Sequence, residues 1–379
     1  MEMTEVSRSS LRVLIVDPGQ CGGATLAMLR IALGLAELGV EVYSVKPSSK
    51  PCHKLYAKIF KLLRVEVLKF PIKRFLTWLL LFSKAFTTAL KKRVHVIHAH
   101  IPRIAFPLYL IARLTGRRFV LTVEGDPLYE IELYRAGLLR RVLVYGTWLH
   151  AAKHADAVVG CSNWMRRVLV KRFSVEPSKA YGIPNPVDEP NPKVKPDYSS
   201  CRVVCIARLD VVKGVDTLVK AFKAVAEKNP KAKLLLVGDG PLEGDVRALI
   251  EELGLQGRVV ITGYTDNPYA YIDGSALGVL PSRYEPFGMA AAECMMHGLP
   301  VVISDVGGLR EVVEDGVSGF KVRPDDPEAL AEKMSLLLSS RDLAKYGYEA
   351  KRRALSLFTP VKVAERYLHV YLKVLQSSA

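Results

Sequence analysis

Short apolar runs alternate along this chain with longer stretches whose apolar positions recur at helical spacing. The short runs suit buried strands of a parallel sheet, and the longer stretches suit amphipathic helices. Residues 11–16 predict a first buried strand, a glycine-rich turn follows, and a helix runs over 25–38 until Gly39 stops it. Strands over 41–45, 94–98, 118–123 and 157–161 come next, with helices over 75–90, 104–114, 138–153 and 164–173 between them. Ser162 stands where a cap for the last helix belongs.

The pattern then restarts. A Pro- and Lys-rich stretch from 189 to 196 reads as a linker. Beyond it the spacing predicts a strand at 202–206, a helix at 215–228, a strand at 233–237 and a helix at 243–253. Strands at 259–261 and near 276–280 follow. The chain then reads as helical from about 325 to 358, with a last helix over 360–376. Strands alternating with helices argue for an α/β protein. The expected organisation is one domain over 1–188, a second over 189–358, and a closing segment at 359–379. At 379 residues there is ample chain for a core in each.

Composition narrows the setting. The first ten residues are polar and carry acid, unlike a secretory signal. The most apolar run, 75–82, is far too short to span a bilayer. Cysteines at 21, 52, 161, 201, 205 and 294 lack zinc or redox spacing, so reduced thiols and a cytoplasmic protein are expected. Charge is uneven: residues 1–190 hold 29 Lys+Arg against 14 Asp+Glu, or +15 of the total +16. A basic half suits an anionic partner. Within it, residues 50–74 place Lys54, Lys58 and Lys61 at helical spacing beside Leu55, Ile59, Phe60, Leu62 and Leu63, with Lys69, Lys73 and Arg74 after them. This reads either as a basic amphipathic segment lying on an anionic membrane or as an ordinary helix packed on the sheet. No nucleic-acid motif or basic-aromatic interleaving is present, so no nucleic acid is expected as partner.

The chemistry concentrates in residues 282–314, SRYEPFGMAAAECMMHGLPVVISDVGGLREVVE. Glu285 and Glu293 lie about two helical turns apart and could serve two parts of one long ligand. Phe287 and Gly288 stand where a loop becomes a helix, and Gly307 and Gly308 where a second helix begins, so free amides are expected at both starts. Arg208 and Lys213 follow the strand at 202–206, where two cations could hold a diphosphate. The turn with Gly22 and Gly23 suits a phosphate or sugar but lacks the dinucleotide fingerprint. His98-Ala99-His100 ends one strand, and Thr122-Val123-Glu124-Gly125-Asp126 ends another. Strand-end histidines of this kind usually hydrogen-bond, and neighbouring thiols and carboxylates lack ligand spacing, so no metal site is expected.

Taken together, Glu285-Pro286-Phe287-Gly288, Glu293, Gly298-Leu299-Pro300-Val301-Val302 and Gly307-Gly308-Leu309-Arg310-Glu311 resemble the retaining glycosyltransferases of the GT-B fold, family 4. The resemblance covers nearly the whole chain and is weakest at 46–92. It implies two facing Rossmann-like domains, with a C-terminal helix crossing back to the first. It also implies transfer of a hexose from a nucleotide diphosphate sugar to a hydroxyl or phosphate acceptor, with no cofactor. Lipid-linked acceptors at a membrane surface suit the basic segment.

By the same resemblance Arg208, Lys213 and the Gly307–Gly308 turn hold the diphosphate. Glu293 holds the ribose, and Glu285 with the Phe287–Met289 backbone holds the sugar. Gly22, Gly23, Gly263 and Tyr264 line the donor. Two positions depart from the family. Glu124 stands where a histidine is common, which would alter donor choice or let Glu124 or Asp126 orient the acceptor, with His100 nearby. Pro186 stands where glycine is usual. A nucleotide-sugar 2-epimerase and a catalytically silent nucleotide-sugar-binding protein remain as alternatives.

Overall fold

The computed structural model describes residues 10–16, 22–47, 64–68, 74–100, 102–127 and 138–376. The chain divides into two compact units. Unit 1 is Met1–Pro186 with Pro360–Ala379, and unit 2 is Val187–Thr359.

Unit 1 runs β1 (Arg12–Val16), α1 (Gly23–Glu37), β2 (Glu41–Pro47), β3 (Arg64–Leu68), α2 (Arg74–Lys91), β4 (Val96–Ala99), α3 (Pro102–Thr115), β5 (Arg118–Val123), α4 (Leu138–His154), β6 (Ala157–Gly160), α5 (Asn163–Phe173) and β7 (Ala180–Gly182). The strands form one parallel sheet in the order β3-β2-β1-β4-β5-β6-β7. β1, β4, β5 and β6 are almost wholly buried, which is why their sequences are continuous apolar runs. Ser162 caps α5 by accepting from Met165 N–H, as its position suggests.

Unit 2 runs β8 (Arg202–Ile206), α6 (Val215–Lys228), β9 (Lys233–Val237), α7 (Glu243–Glu252), β10 (Val259–Gly263), α8 (Tyr269–Ile272), β11 (Leu277–Leu280), α9 (Met289–Met296), β12 (Val301–Ser304), α10 (Leu309–Val312), β13 (Gly319–Val322), α11 (Pro327–Ser339) and α12 (Leu343–Leu357). Its sheet is also parallel, in the order β10-β9-β8-β11-β12-β13. In both sheets the order reverses beside a central strand, which leaves a crevice at the carboxyl ends where such folds bind ligands.

The last helix, α13 (Pro360–Gln376), returns to unit 1. Val363, Ala364, Tyr367, Leu368, Val370, Tyr371 and Val374 make one buried face at helical spacing, packed with Met28, Ile31, Ala32 and Leu35 of α1. Gly34 makes this close approach possible, because a Cβ there would run into the Pro360 carbonyl.

Three strands escape the periodicity reading: β3, β7 and β13. β7 is Ala-Tyr-Gly and β13 is Gly-Phe-Lys-Val, and neither offers the apolar run that marks the other strands. β3 corrects the reading of residues 50–74 as one amphipathic segment. Arg64–Leu68 is an edge strand paired with β2 through Tyr43↔Arg64 to Pro47↔Leu68. Its alternation Arg-Val-Glu-Val-Leu, with two β-branched residues, favours a strand. Residues 50–63 and 69–73 of that segment lie outside the described residues.

Candidate functional site

In unit 2 the turn after β8 is held by its own residues. Asp210 caps a single 3₁₀ turn at Val211–Lys213 by accepting from Lys213 N–H at 3.2 Å. Gly214 then takes a left-handed φ of 62° and packs against the Pro281 carbonyl, where a Cβ would collide. This geometry brings Lys213 Nζ to 2.7 Å from Glu285 Oε2. Burial works to lower the Lys213 pKa, but the charge and hydrogen bond of Glu285, with Asp210, outweigh it and leave the pKa raised. Arg208 reaches only 3.5 Å from Asp210 Oδ2, and its side chain is 68% exposed.

Arg283 clamps the two loops that carry Lys213 and Glu285. Its guanidinium grips Asp216 with two bonds of 2.9 and 2.7 Å, Asp325 at 2.7 Å and the Val211 carbonyl at 2.6 Å. Its backbone N–H donates to the Val212 carbonyl at 2.8 Å. Burial of Asp216 would raise its pKa, yet Arg283 more than reverses this and holds it below the usual carboxylate value. Such a planar fork is a role lysine cannot fill.

Phe287 is buried edge-on against Phe358, with centroids 5.4 Å apart, and anchors the loop before α9. Gly288 has φ of 107° and opens α9 without a side-chain cap. The N–H groups of Phe287, Gly288 and Met289 make no hydrogen bond to the described residues. Glu293, on α9, is only 8% exposed and accepts from Tyr269 Oη at 3.3 Å; the same hydroxyl lies 2.9 Å from Asp188 Oδ2. Gly263 ends β10 with φ of 75°, and the exposed Tyr264 donates its hydroxyl to Asp266 at 2.8 Å.

Unit 1 presents a different strand-end cluster. His98 is hydrogen-bonded through Nδ1 to Tyr371 Oη and through Nε2 to Thr122 Oγ1, both at 2.8 Å; Thr122 in turn meets Tyr367 Oη at 3.1 Å. Burial, and secondarily His100, hold the His98 pKa well below the ordinary imidazole value. His100 Nδ1 lies 3.1 Å from Glu124 Oε1, and Asn185 donates to Glu124 Oε2 at 2.5 Å. Asp126 pairs with Arg172 of α5. Gly22 and Gly23 open α1 without a side-chain cap, and residues 17–21 of their turn lie outside the described residues.

Residues 21–189 match the family described as Glycosyltransferase Family 4, and residues 191–354 match Glycosyl transferases group 1. The chain belongs to the group 1 glycosyltransferases. Among its relatives, N-acetyl-alpha-D-glucosaminyl L-malate synthase of Bacillus anthracis is 27% identical, over 97% of this chain and 98% of that one. Alpha-maltose-1-phosphate synthase of Mycolicibacterium smegmatis is 29% identical, over 74% of this chain and 79% of that one. Among solved structures, Anabaena HepE in complex with UDP and glucose superposes with a TM-score of 0.76 at 23% identity, covering 97% and 100% of the two chains. Sucrose-phosphate synthase from Thermosynechococcus elongatus superposes with a TM-score of 0.71 at 23% identity, over 97% and 100%. These likenesses establish the GT-B fold.

In this group 1 glycosyltransferase, one expected anion contact is already taken. Gly308 N–H donates to the Glu285 carbonyl at 2.9 Å rather than standing free. Gly307, with φ of 50°, turns the chain so that this bond forms, and a Cβ there would strike the same carbonyl. The Gly-Gly pair thus ties its loop to Glu285, and α10 behind it is a single turn. The structure brings Lys213, Glu285 and Gly308 together, with the Arg208 loop beside them, whereas Glu293 faces Tyr269 and Asp188. Sequence reading missed Arg283, Asn185, Tyr367 and Tyr371. Their partners lie 67, 61, 245 and 273 positions away, which no local pattern reports. Among the described residues no helix is long and apolar enough to cross a membrane, and no group of three His, Cys, Asp or Glu could hold a metal ion.

Proposed function

We propose that this glycosyltransferase moves a hexose from a nucleoside diphosphate sugar to a hydroxyl or phosphate acceptor, retaining the anomeric configuration and needing no metal or cofactor. The observation that carries the reading is the Lys213 ammonium, fixed 2.7 Å from Glu285 in a turn that Arg283 clamps from outside. Negative charge grows on the diphosphate as its bond to the sugar stretches. A cation that is already half-buried and oriented needs little reorganisation to meet that charge. Arg208, more exposed, adds a planar donor from the same loop. The open N–H groups at the start of α9 add dipolar support, on the order of 0.3–1 kcal/mol for a charge at such a helix end.

Glu285 uses Oε2 to hold Lys213, which leaves Oε1 for a sugar hydroxyl. Glu293, pre-set by Tyr269, is suited to a ribose diol, because a carboxylate accepts from two adjacent hydroxyls. Gly263 and Tyr264 flank the base. In unit 1, Asp126 orients the acceptor. The +15 charge of residues 1–190 supports an acceptor carried on lipid at an anionic, cytoplasmic membrane face.

The test is turnover of a panel of UDP-, GDP- and ADP-hexoses with EDTA present, reading nucleotide release by chromatography and product configuration by proton NMR. The reading expects one donor to be consumed with the anomeric configuration kept. Inversion, or interconversion of the sugar without transfer, would contradict it.

A further inference from the structure

Single apolar side chains are common on protein surfaces, but several gathered on one surface mark a contact with something else. Among the described residues of unit 1 the exposed large apolar side chains are Leu79, Leu90, Leu110, Leu114, Val142 and Leu143, between 42% and 77% exposed. All six lie on α2, α3 and α4, and none on α1, α5 or α13. These three helices connect β3 to β4, β4 to β5 and β5 to β6, each step running the same way across the sheet. Right-handed crossovers therefore set all three on one face. α1 connects β1 to β2 in the opposite direction and lies on the other face, packed with α13.

The face is fixed, and its charge is one-sided. α3 packs against α4 through Phe106 and Tyr109, each edge-on to the His150 imidazole with centroids 5.8 and 5.6 Å apart. Leu110 and Leu114 stand one turn apart on α3, both exposed. The sequences of the three helices hold eight Lys or Arg and no Asp or Glu. Acids are not scarce elsewhere: α7 alone has four in ten residues, so the acid-free surface belongs to this face. All three helices end at the amino edge of the sheet, and cations gather there. Lys91 and Lys153 are exposed in the last turns of α2 and α4, and Lys92 and Arg93 are exposed directly after α2. The first acid after α4, Asp156, is only 12% exposed and is paired with Arg113 and Arg118.

Exposed leucines rimmed by cations fit the boundary between water and lipid. There the apolar side chains enter the acyl region while ammonium and guanidinium groups stay among the phosphates. A second copy of the chain fits less well, because a symmetric contact would set this acid-free face against itself, cation opposing cation. No helix among the described residues is long and apolar enough to cross a membrane, so the contact is a flat one. We propose that the face formed by α2, α3 and α4 docks unit 1 peripherally on an anionic phospholipid bilayer. This deepens the reading of a lipid-borne acceptor, on which its place in catalysis rests, by naming the surface that meets the lipid. The contact itself needs neither donor nor acceptor.

The experiment is flotation of the full chain with vesicles of phosphatidylcholine alone and of phosphatidylcholine with phosphatidylglycerol at two to one, without nucleotide or sugar. The chain should float with the anionic vesicles at about 0.05 M salt, and far less at about 0.5 M or with the neutral vesicles, because salt screens the cations. The triple change Leu110→Ser, Leu114→Ser and Leu143→Ser should weaken partitioning about tenfold or more, since the apolar area that enters the interface is lost. Lys91→Glu with Lys92→Glu should weaken it as much. Lys220→Glu with Lys223→Glu makes the same change in net charge at exposed positions of α6 in unit 2, and should bind as the parent does. Every substituted side chain is exposed, and unchanged unfolding midpoints would show that the fold persists. Failure to float with anionic vesicles, parental binding in either face variant, or an equal loss in the Lys220 and Lys223 variant would each overturn the proposal. So would a dimer in sedimentation velocity that the leucine variant abolishes, which would assign the face to a second copy. Flotation of a chain that turns over no nucleoside diphosphate hexose would still support the docking and count against the catalytic reading alone.

Discussion

The two sheets end in polar clusters that solve opposite problems. In unit 2 the charged groups have partners before any ligand arrives: Lys213 rests on Glu285, and Arg283 bundles Asp216, Asp325 and the Val211 carbonyl. In unit 1 His100, Glu124 and Asn185 keep four open atoms in a buried place. The first arrangement suits a fixed electrostatic task, because the field is set in advance. The second suits recognition, because a site built to hydrogen-bond discriminates sharply against a ligand that cannot. The same kind of parallel sheet thus carries a preorganised half and an unsatisfied half.

The largest effects should come from unsettling the preorganised half. Lys213→Ala should cut donor turnover by about 10²-fold or more, with Arg208→Ala of similar direction. Arg283→Ala leaves both cations in the chain but frees their loops. Turnover should fall about tenfold or more, mainly in kcat, since small misplacements of catalytic groups are costly. Arg283→Lys should rescue little of this, because a point charge cannot grip Asp216, Asp325 and Val211 together. Wild-type kcat in Arg283→Ala would mean that the clamp is merely structural.

Stability offers a second contrast, of smaller size. Lys213→Met strands the poorly exposed Glu285 carboxylate and should destabilise by on the order of 2 kcal/mol, between the values for surface and buried pairs. The double change Glu124→Leu with Asn185→Leu removes open acceptors together with their mutual bond, and should stay within about 1 kcal/mol of the parent or exceed it. Urea titrations compare the two directly. Equal losses would erase the distinction drawn between the units.

The smallest effect concerns pH. Above about pH 6.5 His98 is neutral in both folded and unfolded chains. Below that, the unfolded chain takes a proton that the buried ring refuses, so stability falls as pH drops, by at most about 1.4 kcal/mol per unit. The loss between pH 7 and 5 should be shallower in His98→Gln. Parallel curves would show that His98 takes no part.

Much of this was legible in the sequence because the relevant residues sit in runs. Apolar strands, the helix over 215–228 and the Glu285-to-Gly308 stretch each announce themselves locally, and the family resemblance followed from the last of these. Three things were not legible. Strands as short as Ala180–Gly182 carry no period. The Arg283 clamp and the Tyr371–His98 bond join residues distant in the chain. The Gly307–Gly308 pair looked like an anion cradle, whereas one of its amides is bound to the backbone, a choice between partners that only the folded chain makes.

The most direct test of the central claim is calorimetric titration of the wild-type chain and Lys213→Ala with the nucleoside diphosphate of whichever donor is consumed. Charge-assisted hydrogen bonds contribute about 1.5–3 kcal/mol, so the variant should bind about 10- to 150-fold more weakly while the free nucleoside binds both proteins alike. Equal affinity of the two proteins for the diphosphate would contradict the account.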